Sequence, residues 1–357
     1  MDTSSSQEST DLHRLPPITS SSAWEEVLIS GNVKILAKHE GENPALCCSV
    51  FPLNKQFAIG WSNGKIELRD TNAYCIQKTF DRPQNLSVTC VSVDESDKSK
   101  PKLLASYASG HTSLWDIKEG TELLTLKHER QTLVNAFNSN GSSFAIGGSD
   151  AKIQIHDTET GAELEVLQGT SDPEIMDGHT NRVYALRYHP TRFNDLLSGG
   201  WDDTVQFWDV RYPYSQKKIN GPHICNNGGI EFWNEDKFVT ASWRKRDPLQ
   251  IWNYETNSLI SDVNPDEENC FLYCCKYVEP EELLLVGGSH KNMLRVVDIN
   301  AKMEDINVNI FQTIASLWNL KGAVYFAKEL PKLDETSFSQ RFCFCAENNF
   351  YIAQIDI

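Results

Sequence analysis

Leu196 to Arg211 reads LLSGGWDDTVQFWDVR, an apolar strand, a tight turn, an alternating second strand and a terminal Trp-Asp packed into one unit. The unit recurs along the chain. The strand endings Arg69-Asp70, Trp115-Asp116, His156-Asp157, Trp208-Asp209, Trp252-Asn253 and Val297-Asp298 are separated by 46, 41, 52, 44 and 45 residues. A seventh, Ile355-Asp356, follows 58 residues later, with a polar excursion around Leu330 to Gln340 to supply the extra length. A fixed period of this size marks units that cannot bury a hydrophobic face alone and must stack on their neighbours. Ser143 to His156 and Phe57 to Leu68 repeat the strand-turn-strand pattern, the second with Asn63-Gly64 as a two-residue hairpin turn. Asp116 to Gly120 and Asp157 to Gly161 supply the turn that follows. Helical periodicity is confined to one short stretch, Ser22 to Ile29.

With Asp177-Gly178-His179 upstream of Trp208-Asp209, the best-preserved unit resembles a WD40 repeat. The resemblance implies an all-β fold, a seven-bladed WD40 β-propeller in which a strand from one terminus completes the blade at the other. The last unit ends at strand c without a strand d, and Asn32 to Lys38, which precedes blade one without partners of its own, can fill that gap. The expected organisation is a Ser/Thr-rich disordered tail over 1–22 and a propeller over 23–357. Its blades are expected to end near 80, 127, 168, 219, 263, 308 and 357, with strand 32–38 completing the last.

The resemblance also gives His179, Ser198, Asp202 and Trp208 the positions of a buried hydrogen-bonded set that stitches a blade together. A Ser, a His and an Asp in one neighbourhood otherwise suggest a hydrolase. Here the WD40 spacing explains them as mutually satisfied buried polar groups, and no catalytic residue is expected. Other blades keep pieces of the set: Asn63 in blade one, Asp150 in blade three and Trp252 in blade five.

Composition narrows the remaining classes. Hydrophobic residues make up 40% and no apolar run nears the ~18 residues of a membrane span, so a soluble chain is expected. The formal net charge of -16 opposes a binder of bulk nucleic acid and favours basic or neutral protein partners. Ten cysteines lie partly as Cys47-Cys48, Cys274-Cys275 and Cys343-x-Cys345 inside apolar runs, with no CxxC and no secretory signal, which predicts reduced core thiols. No GxGxxG, GxxxxGK[ST] or HExxH pattern occurs, so neither cofactor nor metal is expected. A metal-binding channel enzyme would need a ring of inward acidic or His residues, and no such column is legible. A heterotrimeric-G-protein-β-like subunit would need an N-terminal coiled coil, which the first 30 residues lack.

The predicted function is a non-enzymatic scaffold, a single propeller engaging protein or peptide partners within a multiprotein complex, cytoplasmic with the nucleus also open to it. In WD40 propellers the b-to-c turns share one face with the d-to-a loops, which nominates Trp61, Tyr107, Trp201 and Trp243 as aromatic anchors at that rim. Arg244 and Arg246, in the basic insertion Arg244 to Pro248, add a docking point for carboxylates or phosphorylated segments. An acidic loop, Ser171 to Asp177, could fold over the same face. Leu196 to Arg211 also resembles the WDxR box of cullin-4 ubiquitin ligase substrate receptors, which makes Arg211 a candidate contact for a cullin-4 adaptor.

Overall fold

The computed structural model describes residues 27–53, 55–81, 86–170, 177–264, 270–279, 281–300, 311–333 and 338–356. The tail over 1–22, the first residues of the expected helical turn and nearly all of the acidic loop lie outside them. Among the described residues the only helical element is a single 3-10 turn at Asn227–Gly229.

Seven antiparallel sheets follow one another along the chain, each a blade whose strands we letter a to d from the first outward. All seven predicted endings close the c strand of a blade, from Ile66–Asp70 in blade one to Asn349–Asp356 in blade seven. Burial on both faces explains why: in blade four the c strand Thr204–Asp209 buries Val205, Phe207 and Trp208 against its neighbours while the b strand Asp195–Gly200 is buried along nearly its whole length. The a strands of successive blades touch around the ring, and the a strand of blade seven, Ala327–Leu330, closes it against that of blade one, Ala45–Phe51.

The last blade is completed from the other end of the chain. Val33–Glu40 pairs antiparallel with Asn349–Asp356, from Val33 opposite Ile355 to Glu40 opposite Asn349. The closing strand faces two cores, placing Val33 among Leu294, Tyr351 and Ile355 and Ala37 among Phe57, Phe350 and Ile352. Arg341 on the blade-seven b strand adds a polar latch to the same junction. It is buried and donates to the Thr71 carbonyl (2.8 Å), to Asn72 Oδ1 (3.2 Å) and to the Tyr74 hydroxyl (3.2 Å) of blade one.

Two local expectations change. Leu28 and Ile29 are not helical: Leu28–Gly31 is a short exposed strand that pairs with Gln312–Trp318 and gives blade six a fifth strand. Its conformation is set by the free edge it meets, since an exposed segment has little burial of its own to specify it. The hairpin at Asn63-Gly64 is also longer than two residues. Trp61 N donates to the Lys65 carbonyl (2.9 Å), leaving Ser62 to Gly64 as the loop, and Gly64 (φ 91°) occupies the left-handed position that a three-residue loop requires.

Candidate functional site

The strongest polar constellation sits inside blade four. His179 Nδ1 lies 2.8 Å from Asp202 Oδ2, His179 Nε2 lies 2.6 Å from Ser198 Oγ, and Trp208 Nε1 donates to the same Ser198 oxygen at 2.7 Å. A carboxylate can only accept, so Nδ1 carries the proton, Nε2 accepts the Ser198 hydroxyl proton and the chain runs in one direction from the indole to Asp202. Burial alone would raise the Asp202 carboxyl, but His179, the Thr180 amide and Thr204 outweigh it and hold it below the ordinary value. The distances match those of a hydrolytic triad, yet Ser198 is fully buried and its hydroxyl is committed on both sides. A substrate reaches that oxygen only by opening the blade. Blade five keeps one bond of the set, Trp252 Nε1 to Thr240 Oγ1 at 3.0 Å. Elsewhere Asp150, in the b-to-c turn of blade three, accepts at 2.5 Å from Arg130, which precedes the a strand of that blade, and Asn63 Oδ1 accepts the Lys65 amide at 3.1 Å within its own turn.

The aromatic rim candidates divide. Trp201 and Trp243 are 40% and 39% exposed, whereas Trp61 and Tyr107 are 4% and 2% exposed and cannot anchor a partner. The cause is one step of register. Trp61 and Tyr107 are the last residues of their b strands, opposite Ala45 and Val88, and occupy the place that Gly200 holds opposite Val183. Trp201 comes one residue after its b strand ends at Gly200 and Trp243 two residues after its own ends at Ala241, and both lie in the b-to-c turn and face solvent. Trp61 is further covered by the Gly41 backbone, where a Cβ would stand 2.5 Å from the indole ring.

Around the two exposed tryptophans the structure assembles an arc that the sequence did not announce. Tyr184 stacks on Trp201 (5.2 Å between centroids, 29°), Trp201 on His223 (6.2 Å, 19°), His223 meets Trp243 (6.2 Å), and Trp243 meets Phe271 (4.7 Å). These residues come from b-to-c turns and d-to-a ends of blades four, five and six, so they share one face of the ring. Tyr273 and Tyr325 continue it toward blade seven at 5.2 Å. His223 is fixed by Asp203 Oδ1, 2.6 Å from its Nδ1, and the Arg182 guanidinium lies 5.4 Å from the Trp201 ring.

The basic insertion contributes less than its sequence suggests. Arg244 turns back on its own loop, donating to the Asp247 carbonyl (2.8 Å) and to Gln250 Oε1, so Arg246 and the neighbouring Lys245 are its exposed cations. Arg211 lies on the opposite face with 64% of its side chain exposed, and grips Asp209 through Nε (2.8 Å) and Nη2 (2.6 Å). All ten cysteines are free and nine are buried. Among the described residues no cluster of three or more His, Cys, Asp or Glu side chains gathers as a metal site, and no helix is long and apolar enough to cross a membrane.

Comparison with known proteins agrees with this geometry. A family model described as WD domain, G-beta repeat matches residues 172–209, the blade that holds the His179 to Trp208 chain. Coronin-7 of Bos taurus is 34% identical over 108 residues, 30% of this chain and 11% of that one. The APC/C activator protein CDC20 of Saccharomyces cerevisiae is 24% identical over 279 residues, 72% of this chain and 42% of that one. A striatin homolog of Dictyostelium discoideum is 22% identical over 213 residues, 56% and 24% of the two chains. The match thus spans only about a tenth of the coronin-7 chain and under half of the other two. Seven sheets in a closed ring, the buried stitch of blade four and these similarities together place the chain in the WD40-repeat family, as a seven-bladed β-propeller.

Proposed function

We propose that the protein is a non-enzymatic scaffold that docks a peptide segment of a protein partner on the b-to-c face of blades four to six. The observation that carries this reading is the arc from Tyr184 to Phe271, with Trp201 and Trp243 partly open to solvent. Stacked rings lose little rotamer freedom on binding, and a pre-ordered aromatic surface bordered by Arg182 and Arg246 suits a segment with apolar anchors and acidic flanks. A WD40 propeller is generally an interaction platform, and the whole-chain activities of its relatives are not carried over with the fold. Ten free thiols suit a reducing compartment, the cytoplasm with the nucleus open to it.

In affinity purification followed by mass spectrometry, Trp243→Ala and Trp201→Ala are each expected to deplete the same partners. On a purified partner, each is expected to weaken binding by about thirtyfold, equivalent to ~2 kcal/mol, without moving the melting temperature by more than a few degrees. Undiminished recovery with both tryptophans removed would sink this face as the docking site. A second reading rests on the exposed Arg211, the terminal residue of the WDxR-like segment. If it meets a cullin-4 adaptor, Arg211→Ala abolishes co-purification of that adaptor while the fold persists. Equal recovery with the variant, or no adaptor with the parent chain, removes the reading.

A further inference from the structure

The a strands that line the centre of the ring carry an unexpected set of charges. Arg187, Glu231 and Lys276 stand at the same register step in blades four, five and six, opposite Leu197, Val239 and Leu285 of their b strands. Lys328 joins them from the a strand of blade seven. A cavity of about 460 Å³ is lined by Ser49, Ser92, Asn135, Arg187, Asn227 and Lys328, and a second of about 390 Å³ shares Ser49 and Lys328 and reaches Lys276 and Glu329. A channel enzyme would need an acidic or histidine-rich column here, and the charges present are mainly basic.

Two of the three cations keep unused donors. Glu231 accepts from Lys276 and from Arg187 Nε (3.4 Å). Burial would raise its carboxyl, but Lys276, Lys328 and Arg187 bring it down to about 2. Arg187 Nη1 is used by the Leu186 carbonyl (2.9 Å) and Asn227 Oδ1 (2.7 Å). Among the described residues neither Arg187 Nη2 nor Lys328 Nζ has a hydrogen-bond acceptor. Burial, with Arg187 and Lys276 nearby, lowers the Lys328 ammonium below its ordinary value, with Glu231 opposing. Three further carboxylates line the same cavities, Asp94 and Glu95 the first and Glu329 the second. Glu329 is pushed up to about 7 by burial, which leaves it partly neutral near neutral pH, Asp94 faces Lys102 at 3.8 Å, and Glu95 accepts the Leu53 amide at 3.4 Å. Arg187, Lys276 and Lys328 therefore gather from three a strands around one inner carboxylate, Glu231, in a chain whose net charge is -16, while Asp94 and Glu95 line the first cavity and Glu329 the second. Lys328 is half-buried in the wall of both cavities, and a cation there without an acceptor is matched by a small dianion with several oxygens.

We propose that the central channel is a binding site for a phosphate group, free or carried as a small phosphate ester, held by Arg187, Lys276 and Lys328 and entered between the a-to-b turns. Guanidinium and ammonium donors converging from three strands suit a tetrahedral oxyanion, and Ser49 and Asn227 add neutral polar groups beside them.

The test is calorimetric titration of the full chain at low salt with inorganic phosphate, pyrophosphate and glucose 6-phosphate, and with sulfate for comparison. One saturable site is expected, with affinity falling at least about tenfold in Lys328→Met and largely kept in Lys328→Arg. The exposed control Lys127→Met, on the outer strand of blade two, binds as the parent does. Lys328→Met should melt within a few degrees of the parent in phosphate-free buffer, since the substitution breaks no hydrogen bond or ion pair among the described residues, so lost binding is not lost folding. Preference for phosphate or pyrophosphate identifies a free phosphate species, and preference for glucose 6-phosphate identifies an ester; either supports the site. No saturable binding of any of the three at about 10 mM, or equal affinity in Lys328→Met, overturns it. Sulfate binding that survives Lys328→Met while the phosphates do not bind also overturns it.

Discussion

A chain lacking residues 1–40 is expected to lose its cooperative fold, not merely one strand. Val33–Glu40 makes seven register pairs with Asn349–Asp356, and at about 0.5–1.5 kcal/mol for each net backbone hydrogen bond their loss alone takes several kcal/mol. The deletion also strips Val33 from the core between blades six and seven and Ala37 from the core between blades seven and one. Together these approach the ~5–15 kcal/mol by which a whole domain is stable. The exposed Asn349–Asp356 edge, with Phe350, Tyr351, Ile352 and Ile355 beside it, then offers a template for aggregation. Thermal melting by circular dichroism should show no sharp transition, and size exclusion should show large species. Because Val33 stands opposite Ile355, residues 32–40 appended after Ile357 through a short Gly-rich turn should pair as a hairpin and restore the transition. A shortened chain that stays monomeric and melts within a few degrees of the parent would show that this pairing does not hold the ring.

The ring was legible because its signal is redundant. Seven c-strand endings at near-regular spacing and one strand without a partner are statements about burial, and burial is what a hydrophobic pattern encodes. Where one residue of register decides the outcome, the pattern fails. Trp61 and Trp201 look equivalent beside their turns, yet one closes a strand and faces the core and the other opens a turn and faces solvent. Leu28 and Ile29 fail for another reason, since the edge that pairs them lies nearly 290 residues away in Gln312–Trp318. The arc from Tyr184 to Phe271 joins three blades and has no local signature. The channel did leave one: YALRY, GIEFW, YCCKYV and FAKEL each place charge inside an otherwise apolar first strand. Read singly, such charges pass for solvated strand faces; only the ring turns them toward a common centre.

Ser198→Ala is expected to be the most damaging single-atom change in blade four, costing about 3 kcal/mol. It strands two buried groups at once, the Trp208 indole N–H and His179 Nε2, each at about 1–3 kcal/mol when left unpaired. Thr240→Val keeps the branched shape, removes only the Trp252 bond of blade five and should cost roughly a third as much, so the two melting temperatures separate the chain from its single-bond remnant. Asp202→Asn tests the charged end. The native Asp202 carboxyl is held below its ordinary value of 3.8, so its charge contributes stability that is fully present above that pH and is lost as pH falls toward the lowered native value. The gap between parent and Asp202→Asn in denaturant unfolding should therefore be about 1–2 kcal/mol at neutral pH and shrink near pH 3. A gap that stays constant across that range would mean the side chain acts through shape and neutral hydrogen bonding. Ser198→Ala melting like the parent would mean that the blade is held by the apolar packing around Leu196, Trp208 and Val183, with the polar chain contributing little.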